Sequence, residues 1–336
     1  MSFDIPLLEP NMSGGWEHTC VAAAIDGNEP TRGDYVKEFE ELVASATGRV
    51  WCVALCSGTA ALHTALLALG TGKDHVLAVP SFTFAATVNA IIYTGAAPYF
   101  VDIDENWVSK SHPDGDGIYV EVNGNPAPEG ATIVDAAHSM GRGKIGGRLA
   151  CLSFNGNKII TTGGGGAVIG DDPELEARVR YLANQCTDEK YKHGAIGLNY
   201  RMPNINAAIG VAQMQRLYEF VAKKKEIQKI YLEELPYEPL AGNGFWLSGY
   251  ITDNAGEHID ALQAMGIEAQ PFFHPLHLQA PYKDYPRDEL PNTEAIYSCI
   301  VTLPSSTTLT EEQQQRVIDA VLSLPVGEQT PRRSSA

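Results

Sequence analysis

Lys158 stands between a short apolar run and four consecutive glycines, in Cys151-Leu-Ser153-Phe-Asn-Gly-Asn-Lys158-Ile-Ile-Thr-Thr-Gly163-Gly164-Gly165-Gly166. A lysine on irregular backbone, crowded by glycines and small hydroxyl residues, has no amphipathic face to decorate and is placed to reach a ligand. Alone it reads as an ordinary solvated residue; its company elsewhere in the chain changes that. Ser57-Gly58-Thr59 lies between a strand-like run and a helical one, where free backbone N–H groups and the helix dipole favour a phosphate. The plainer reading of such residues is a helix N-cap. Asp135 ends an apolar run in Val134-Asp135-Ala-Ala-His138, and strand C-terminal ends face the ligand crevice in open α/β sheets. A carboxylate there, beside two alanines, has little to pair with unless a cationic group arrives; the plainer reading is a cap on a nearby loop. His138 and Phe84, each by itself, read as a structural histidine and a core aromatic.

Together, in chain order, these are an anion cradle, an aromatic plate, a carboxylate at a strand end and a lysine beside glycines. They are the requirements of pyridoxal 5′-phosphate: a Schiff-base lysine, an acidic partner for the pyridine nitrogen and an anion site for the phosphate. Two competing motifs fail. Gly70-Thr-Gly-Lys73 lacks the P-loop pattern, with Leu67 in place of the first glycine and Asp74 in place of the hydroxyl residue. Gly163–Gly166 precedes a strand-like run, not a helix, so it is no dinucleotide fingerprint.

The elements that must position these residues alternate from about residue 50 to 170, short β-branched runs with helical patterns, which predicts a mainly parallel sheet. Strands are expected at 49–55, 76–80, 98–103, 118–122, 132–135 and 167–169. Helices are expected at 60–69 and 84–93, and another after the acidic, proline-started Asp171-Asp-Pro-Glu. A long helix is predicted from Ile205 to Leu235, with Lys223-Lys-Lys as a solvated face. After about residue 240 come a strand (245–251), a helix (258–265), a Pro/His-rich segment (271–286) and a last helix from Thr310 to Leu322. Only about nine residues separate the strands at 118–122 and 132–135. A parallel crossover through a helix needs a dozen or more, so these strands are joined without a full helix or are not parallel neighbours. The expected organisation is a large domain over 1–235, a small α+β domain over 236–325, and a disordered polar tail, 326–336.

The chain has 336 residues, enough for a large core. No stretch approaches ~20 uninterrupted apolar residues, so no membrane span is expected. Nor does the N-terminus read as a secretory signal, and a cytoplasmic location is expected. The balance of 24 basic against 41 acidic residues gives −17, which argues against nucleic acid as a partner but not against a small anion held by local donors. The six cysteines are scattered and read as reduced thiols, not metal ligands.

The motifs Gly33-Asp-Tyr-Val-Lys-Glu-Phe-Glu, Ser57-Gly-Thr-Ala-Ala-Leu-His, Pro80-Ser-Phe-Thr-Phe84, Asp135-Ala-Ala-His138, Ser153-Phe-Asn-Gly-Asn-Lys158 and Gly197-Leu-Asn-Tyr-Arg-Met-Pro-Asn resemble the DegT/DnrJ/EryC1/StrS sugar aminotransferases. So do Pro275-Leu-His277 and Leu303-Pro-Ser-Ser, and the resemblance runs to about residue 322. It implies the PLP-dependent transferase type I (aspartate aminotransferase-like) α/β fold. By that resemblance Lys158 forms the bond to the cofactor, Asp135 keeps the pyridine nitrogen protonated, Phe84 stacks on the ring and His138 lies near its phenolic oxygen. Thr59, the Ala60 backbone and Ser153, with the Ser57-Gly58 turn, would hold the phosphate. Asn199 or Arg201, from the partner subunit of a homodimer with shared sites, would complete it.

The expected reaction moves an amine from L-glutamate to a nucleotide-linked sugar. UDP-4-keto-6-deoxy-N-acetylhexosamine is the first choice of acceptor and GDP-4-keto-6-deoxymannose (perosamine synthesis) the alternative. The family's 3-dehydratases carry histidine where this chain has Lys158. A non-catalytic regulatory protein of the same fold and a Rossmann oxidoreductase are the other readings weighed. The segment between Val122 and Thr132 is shorter than the helical crossover usual in the family.

Overall fold

Short β-branched runs, each with its polar positions confined to its ends, build a sheet that carries the candidate residues on its edge. In the structure, a computed structural model, residues 3–110, 117–242 and 245–325 are described; the expected tail lies outside them. The strands are β1 (Trp51–Leu55), β2 (Val76–Pro80), β3 (Ala97–Val101), β4 (Ile118–Val120), β5 (Ile133–Asp135), β6 (Leu149–Ser153) and β7 (Gly166–Gly170). Five are hydrogen-bonded in the order β1-β7-β6-β5-β4, and a parallel bridge from Gly117 to Ala78 brings the parallel pair β2-β3 alongside β4. β4, β5 and β6 run parallel, while β7 is antiparallel to both its neighbours. The sheet is therefore mainly parallel with one reversed strand.

β4 and β5 are parallel neighbours, so the short connection between them is made without a helix. A single turn, Val122–Gly124, replaces it, with Asn123 at φ 49, a left-handed conformation that asparagine tolerates.

Two helices outside those expected from the sequence, α1 (Trp16–Asp26) and α2 (Asp34–Thr47), precede the sheet, and α2 buries Phe39 and Val43 on an apolar face shared with Tyr35, Val36, Leu42 and Ala46. α3 (Gly58–Ala68) and α4 (Ala85–Tyr93) follow β1 and β2, and α5 (Pro173–Ala183) is capped by Asp172, which accepts from the Glu174 N–H. A small ribbon, β8 (Thr187–Glu189) with β9 (Lys192–His193), leads to α6 (Asn204–Gln215) and α7 (Leu217–Glu234).

Two expectations are corrected here. The single helix predicted over 205–235 is two, because Arg216, at φ −104 and ψ 2, leaves helical geometry and serves as the C-cap of one and the N-cap of the other. Lys223-Lys-Lys is not one solvated face: Lys224 is buried and its Nζ donates to the Trp246 carbonyl at 2.7 Å. Helical spacing separates adjacent residues by about 100°, so the middle lysine turns inward while its neighbours do not.

The rest of the chain forms an antiparallel sheet of β10 (Glu238–Pro239), β11 (Ser248–Ile251) and β12 (Ile300–Leu303). Around it lie α8 (Ala255–Ala264), α9 (Pro291–Tyr297) and α10 (Glu311–Leu322), the last with a Thr310–Gln313 capping box. Its core joins Tyr250, Leu262, Val301 and Ile318 with Ile227 and Tyr231 of α7 and with Ile5. The N-terminal arm therefore packs here, bridging Ile267. Among the described residues no helix is long and apolar enough to cross a membrane, and all six cysteines are free.

Candidate active site

The C-terminal ends of β5 and β6 place Asp135 and Ser153 on one cavity of about 490 Å³. Ser57, Gly58, Thr59, Phe84, His138 and Lys158 line it as well. The cavity thus brings together eight of the residues singled out in the sequence, drawn from four loops that follow strands.

The anion cradle is built by close approach. Ser57 caps α3, its Oγ accepting from the Ala60 N–H at 3.1 Å, so the plain N-cap reading is correct for Ser57. That bond engages the Ala60 N–H expected to face a phosphate. A Cβ on Gly166 would lie 2.4 Å from the Ser57 carbonyl carbon and oxygen, and one on Gly58 would lie 2.9 Å from Ser153 Cβ. Only glycine lets β7 and the Ser57 turn meet this closely.

Asp135 is buried, and its two oxygens take one neutral donor each: Thr87 Oγ1 on Oδ2 at 2.7 Å and the Ala137 N–H on Oδ1 at 3.2 Å. Thr87 is in turn within 3.0 Å of Thr83 Oγ1. Among the described residues no ion pair reaches Asp135. Burial pushes its pKa up; Thr87, Ala137 and the Lys158 charge pull the other way and do not prevail. A buried carboxylate with spare acceptor capacity is a site for a cation.

Lys158 follows the turn after β6, its N–H donating to the Asn155 carbonyl at 3.0 Å. Burial lowers its pKa from 10.5 to about 8, against the pull of Asp135. His138 is buried too, which with the Lys158 charge holds it well below 6.5 and neutral. Its Nδ1 accepts from the Asn123 N–H at 3.2 Å, so the ring proton sits on Nε2. Phe84, read alone as a core aromatic, is 64 % exposed and presents its ring to the cavity.

Three further residues complete the walls, and a fourth stands behind Asp135. Trp246 stacks on His138 with centroids 3.7 Å apart and a 14° interplanar angle, and the Lys158 Nζ lies 4.2 Å from its ring centroid. Phe272 and Phe273 close the same side, while Thr87 supports Asp135 from behind. The Pro/His-rich stretch from Pro271 is the only sequence signal for the two phenylalanines. Trp246 lies inside a predicted strand and Thr87 inside a predicted helix, so neither stands out.

Asn199 and Arg201 are not on this cavity. Asn199 bridges to Asn184 and Arg201 to Leu55, and Arg201 lines a separate cleft of about 380 Å³ with Arg32, Glu40 and Arg180. The Arg201 Nε is buried without a hydrogen-bond partner, and burial together with the Arg32 charge lowers the guanidinium's pKa.

These residues fit pyridoxal phosphate on three observations: the cation-seeking Asp135, the glycine-only cradle at Ser57 and Gly166, and a desolvated lysine between them. Comparison with known proteins agrees. The model of the DegT/DnrJ/EryC1/StrS aminotransferase family matches residues 14–112 and 130–322, and the break between the two stretches includes the shortened connection. A GDP-perosamine synthase of Caulobacter vibrioides is 35 % identical over 332 residues, covering 86 % of this chain and 90 % of that protein. One of Escherichia coli O157:H7 is 31 % identical, covering 94 % and 97 %. The crystal structure of a DegT DnrJ EryC1 StrS aminotransferase from Brucella abortus superposes with a TM-score of 0.84 at 26 % identity, over 92 % of this chain and 95 % of that one.

Proposed function

The chain belongs to the DegT/DnrJ/EryC1/StrS family of pyridoxal phosphate-dependent sugar aminotransferases, and from that premise we propose that it aminates C4 of GDP-4-keto-6-deoxymannose with L-glutamate as donor. The observation that carries the chemistry is the pairing of Lys158 and Asp135 in one desolvated cavity. Support for the GDP acceptor over UDP-4-keto-6-deoxy-N-acetylhexosamine is the two GDP-perosamine synthases at 35 % and 31 % identity.

Bound in the cavity, pyridoxal phosphate supplies an electron sink for the carbanion left when the donor loses its α-proton. Asp135 holds the ring nitrogen in its protonated form, the cation its burial lacks. Ser57, Gly58, Thr59 and Ser153, which line one part of the cavity, would hold the phosphate, and Phe84 would lie against the ring. Lys158 would bond the cofactor at rest, and its Nζ, once free, would carry protons between the donor's α-carbon, the cofactor and the acceptor carbon. An amine that titrates near the working pH both takes and gives protons. Neutral His138, with its proton on Nε2, would be a donor for the cofactor's phenolic oxygen. Trp246, Phe272 and Phe273 keep water off these groups, which strengthens each electrostatic contact.

The active form in this reading is a homodimer, with Asn199 or Arg201 of each chain reaching the phosphate bound by the other.

The test is product analysis by mass spectrometry after incubating the holoenzyme and L-glutamate with each keto-sugar nucleotide. Amination of the GDP sugar, absent in Lys158→Ala, is the expected result. Amination of the UDP sugar alone would transfer the assignment to that acceptor. A chain that binds the cofactor but shows no spectral change with glutamate would remove glutamate as the donor and favour a different donor or a dehydratase.

A further inference from the structure

Lys224, in the middle of α7, has no part in the reaction just described. It is 5 % exposed, and its Nζ donates to the Trp246 carbonyl at 2.7 Å. An amine withdrawn from water against a single acceptor is costly, and burial lowers its pKa from 10.5 to about 7. Its neighbours are spent differently: Lys223 pairs with Glu226 at 3.1 Å and Lys225 lies over the Phe245 ring.

What Lys224 holds is a residue that touches two of the site's titratable groups, His138 and Lys158. The Trp246 Nε1 donates to the carbonyl of Asn157, next to Lys158 in the chain, at 2.7 Å. Its ring is stacked on His138 and lies 4.2 Å from the Lys158 Nζ. The next residue is clamped from the other side, where Leu247 N–H donates to Asn123 Oδ1 at 3.1 Å and Asn123 Nδ2 donates back to the Leu247 carbonyl at 3.2 Å. The Trp246 backbone is thus fixed by Lys224 from α7, and its neighbour by Asn123 from the turn that replaces the crossover helix.

We propose that Lys224 is a positioning residue that, by holding the Trp246 carbonyl, keeps the indole against His138 and over the Lys158 amine and so keeps water from that amine. Its meaning for catalysis rests on the reading of Lys158 given above; its geometry does not. Loss of the anchor frees the indole, hydrates Lys158 and returns its pKa toward 10.5. Asp135 and His138, the titratable groups facing Lys158, are left in place.

The test needs neither cofactor nor substrate. In the full chain freed of cofactor, Lys158 labelling by an amine-reactive sulfonate is followed against pH by peptide mass spectrometry. Lys224→Met and Lys224→Gln are compared with wild type, with Trp246→Ala, and with each combined with Trp246→Ala. Gln is too short to reach the carbonyl, so either variant serves if the other fails to fold. The expected result is a labelling midpoint about one pH unit or more above that of wild type, with no further rise when either is added to Trp246→Ala. An unchanged midpoint overturns the proposal. A shift that adds fully to that of Trp246→Ala also overturns it, because Lys224 would then act by its charge alone. Failure of both variants to fold overturns it too, making Lys224 a folding residue. Because only the free lysine is read, a failed aminotransferase assay leaves this result standing.

Discussion

Thr87 Oγ1 donates to Asp135 Oδ2 at 2.7 Å, and both residues are buried. A helix α4 side chain thereby holds the carboxylate at the end of β5 in the orientation that faces the cavity. Without that donor, burial pushes the Asp135 pKa further up and weakens its hold on a cationic ring nitrogen. Hydrogen bonds to charged groups are worth about 1.5–3 kcal/mol. Thr87→Val, which keeps the shape, should therefore bind pyridoxal phosphate about 10- to 100-fold more weakly, and Thr87→Ser should retain most of the affinity. Titrating the cofactor-free protein and following its fluorescence measures both. Equal affinity in Thr87→Val and wild type would remove Thr87 from the site.

The two buried lysines make stability depend on pH in a defined direction. Both lose their protons in the folded chain well below 10.5, Lys224 at about 7 and Lys158 at about 8. From those values upward the unfolded chain binds more protons than the folded one, so unfolding free energy rises with pH. The cost of burying the charges is present in full below about pH 7 and is relieved above it. Raised thiol pKa values at Cys52 and Cys151 act in the opposite sense only above about pH 9, and lowered His138 acts only below 6.5. Urea unfolding of the cofactor-free protein should show stability increasing between pH 7 and 9, by at most about 1.4 kcal/mol per pH unit for each lysine. Lys224→Met should flatten the rise from pH 7 upward, because it removes the Lys224 contribution and, with the Lys158 amine rehydrated, that of Lys158 as well. A Lys224→Met profile as steep as that of wild type would contradict the assignment.

Gly166 is tied to the Ser57 turn by distance. Its absent Cβ would fall 2.4 Å from the Ser57 carbonyl and 2.5 Å from the Gly58 nitrogen, all backbone that cannot swing aside. Gly166→Ala should push the turn outward at a cost of about 1–3 kcal/mol and lower cofactor affinity by a similar factor. Gly72→Ala, off the cavity and with an added methyl that would meet nothing within 4 Å, is the control. Thermal melts with and without pyridoxal phosphate separate the two effects, and a Gly166→Ala protein with wild-type affinity would show that the cradle is not built by this contact.

Most of the cavity was legible in the sequence because its residues sit where local grammar is strong. Ser57 opens a helix after a strand, Asp135 ends an apolar run and Lys158 precedes glycines, so each is flanked by its own explanation. The sheet followed for the same reason, and the brevity of 122–132 left two readings, strands joined without a full helix or strands that are not parallel neighbours, between which the parallel pairing of β4 and β5 decides. What stayed hidden depends on contacts far apart in the chain. Nothing near Trp246 says that Lys224 anchors it, and a lysine between two lysines reads as surface until the phase of α7 is known. α1 has little apolar periodicity of its own and is fixed by packing on α6, whereas α2 was legible and passed over: Tyr35, Val36, Phe39, Leu42, Val43 and Ala46 recur at helical spacing.

The cleft that holds Arg201 yields the last prediction. Arg201 lies off the cavity of its own chain, with a buried Nε that has no partner, and the homodimer reading sends it to the phosphate of the neighbouring chain. Arg201→Ala and Lys158→Ala should then each be inactive as homodimers, for different reasons. Unfolding and refolding an equal mixture should restore activity, since one site of each heterodimer combines an intact Lys158 with an intact Arg201. Random pairing makes half the dimers mixed, so about one quarter of wild-type activity is expected. Asn199→Ala in place of Arg201→Ala repeats the experiment for the other candidate, and the residue whose variant complements is the one that crosses. If Arg201→Ala is inactive and the mixture remains so, Arg201 serves its own chain; if Arg201→Ala is fully active alone, it serves neither.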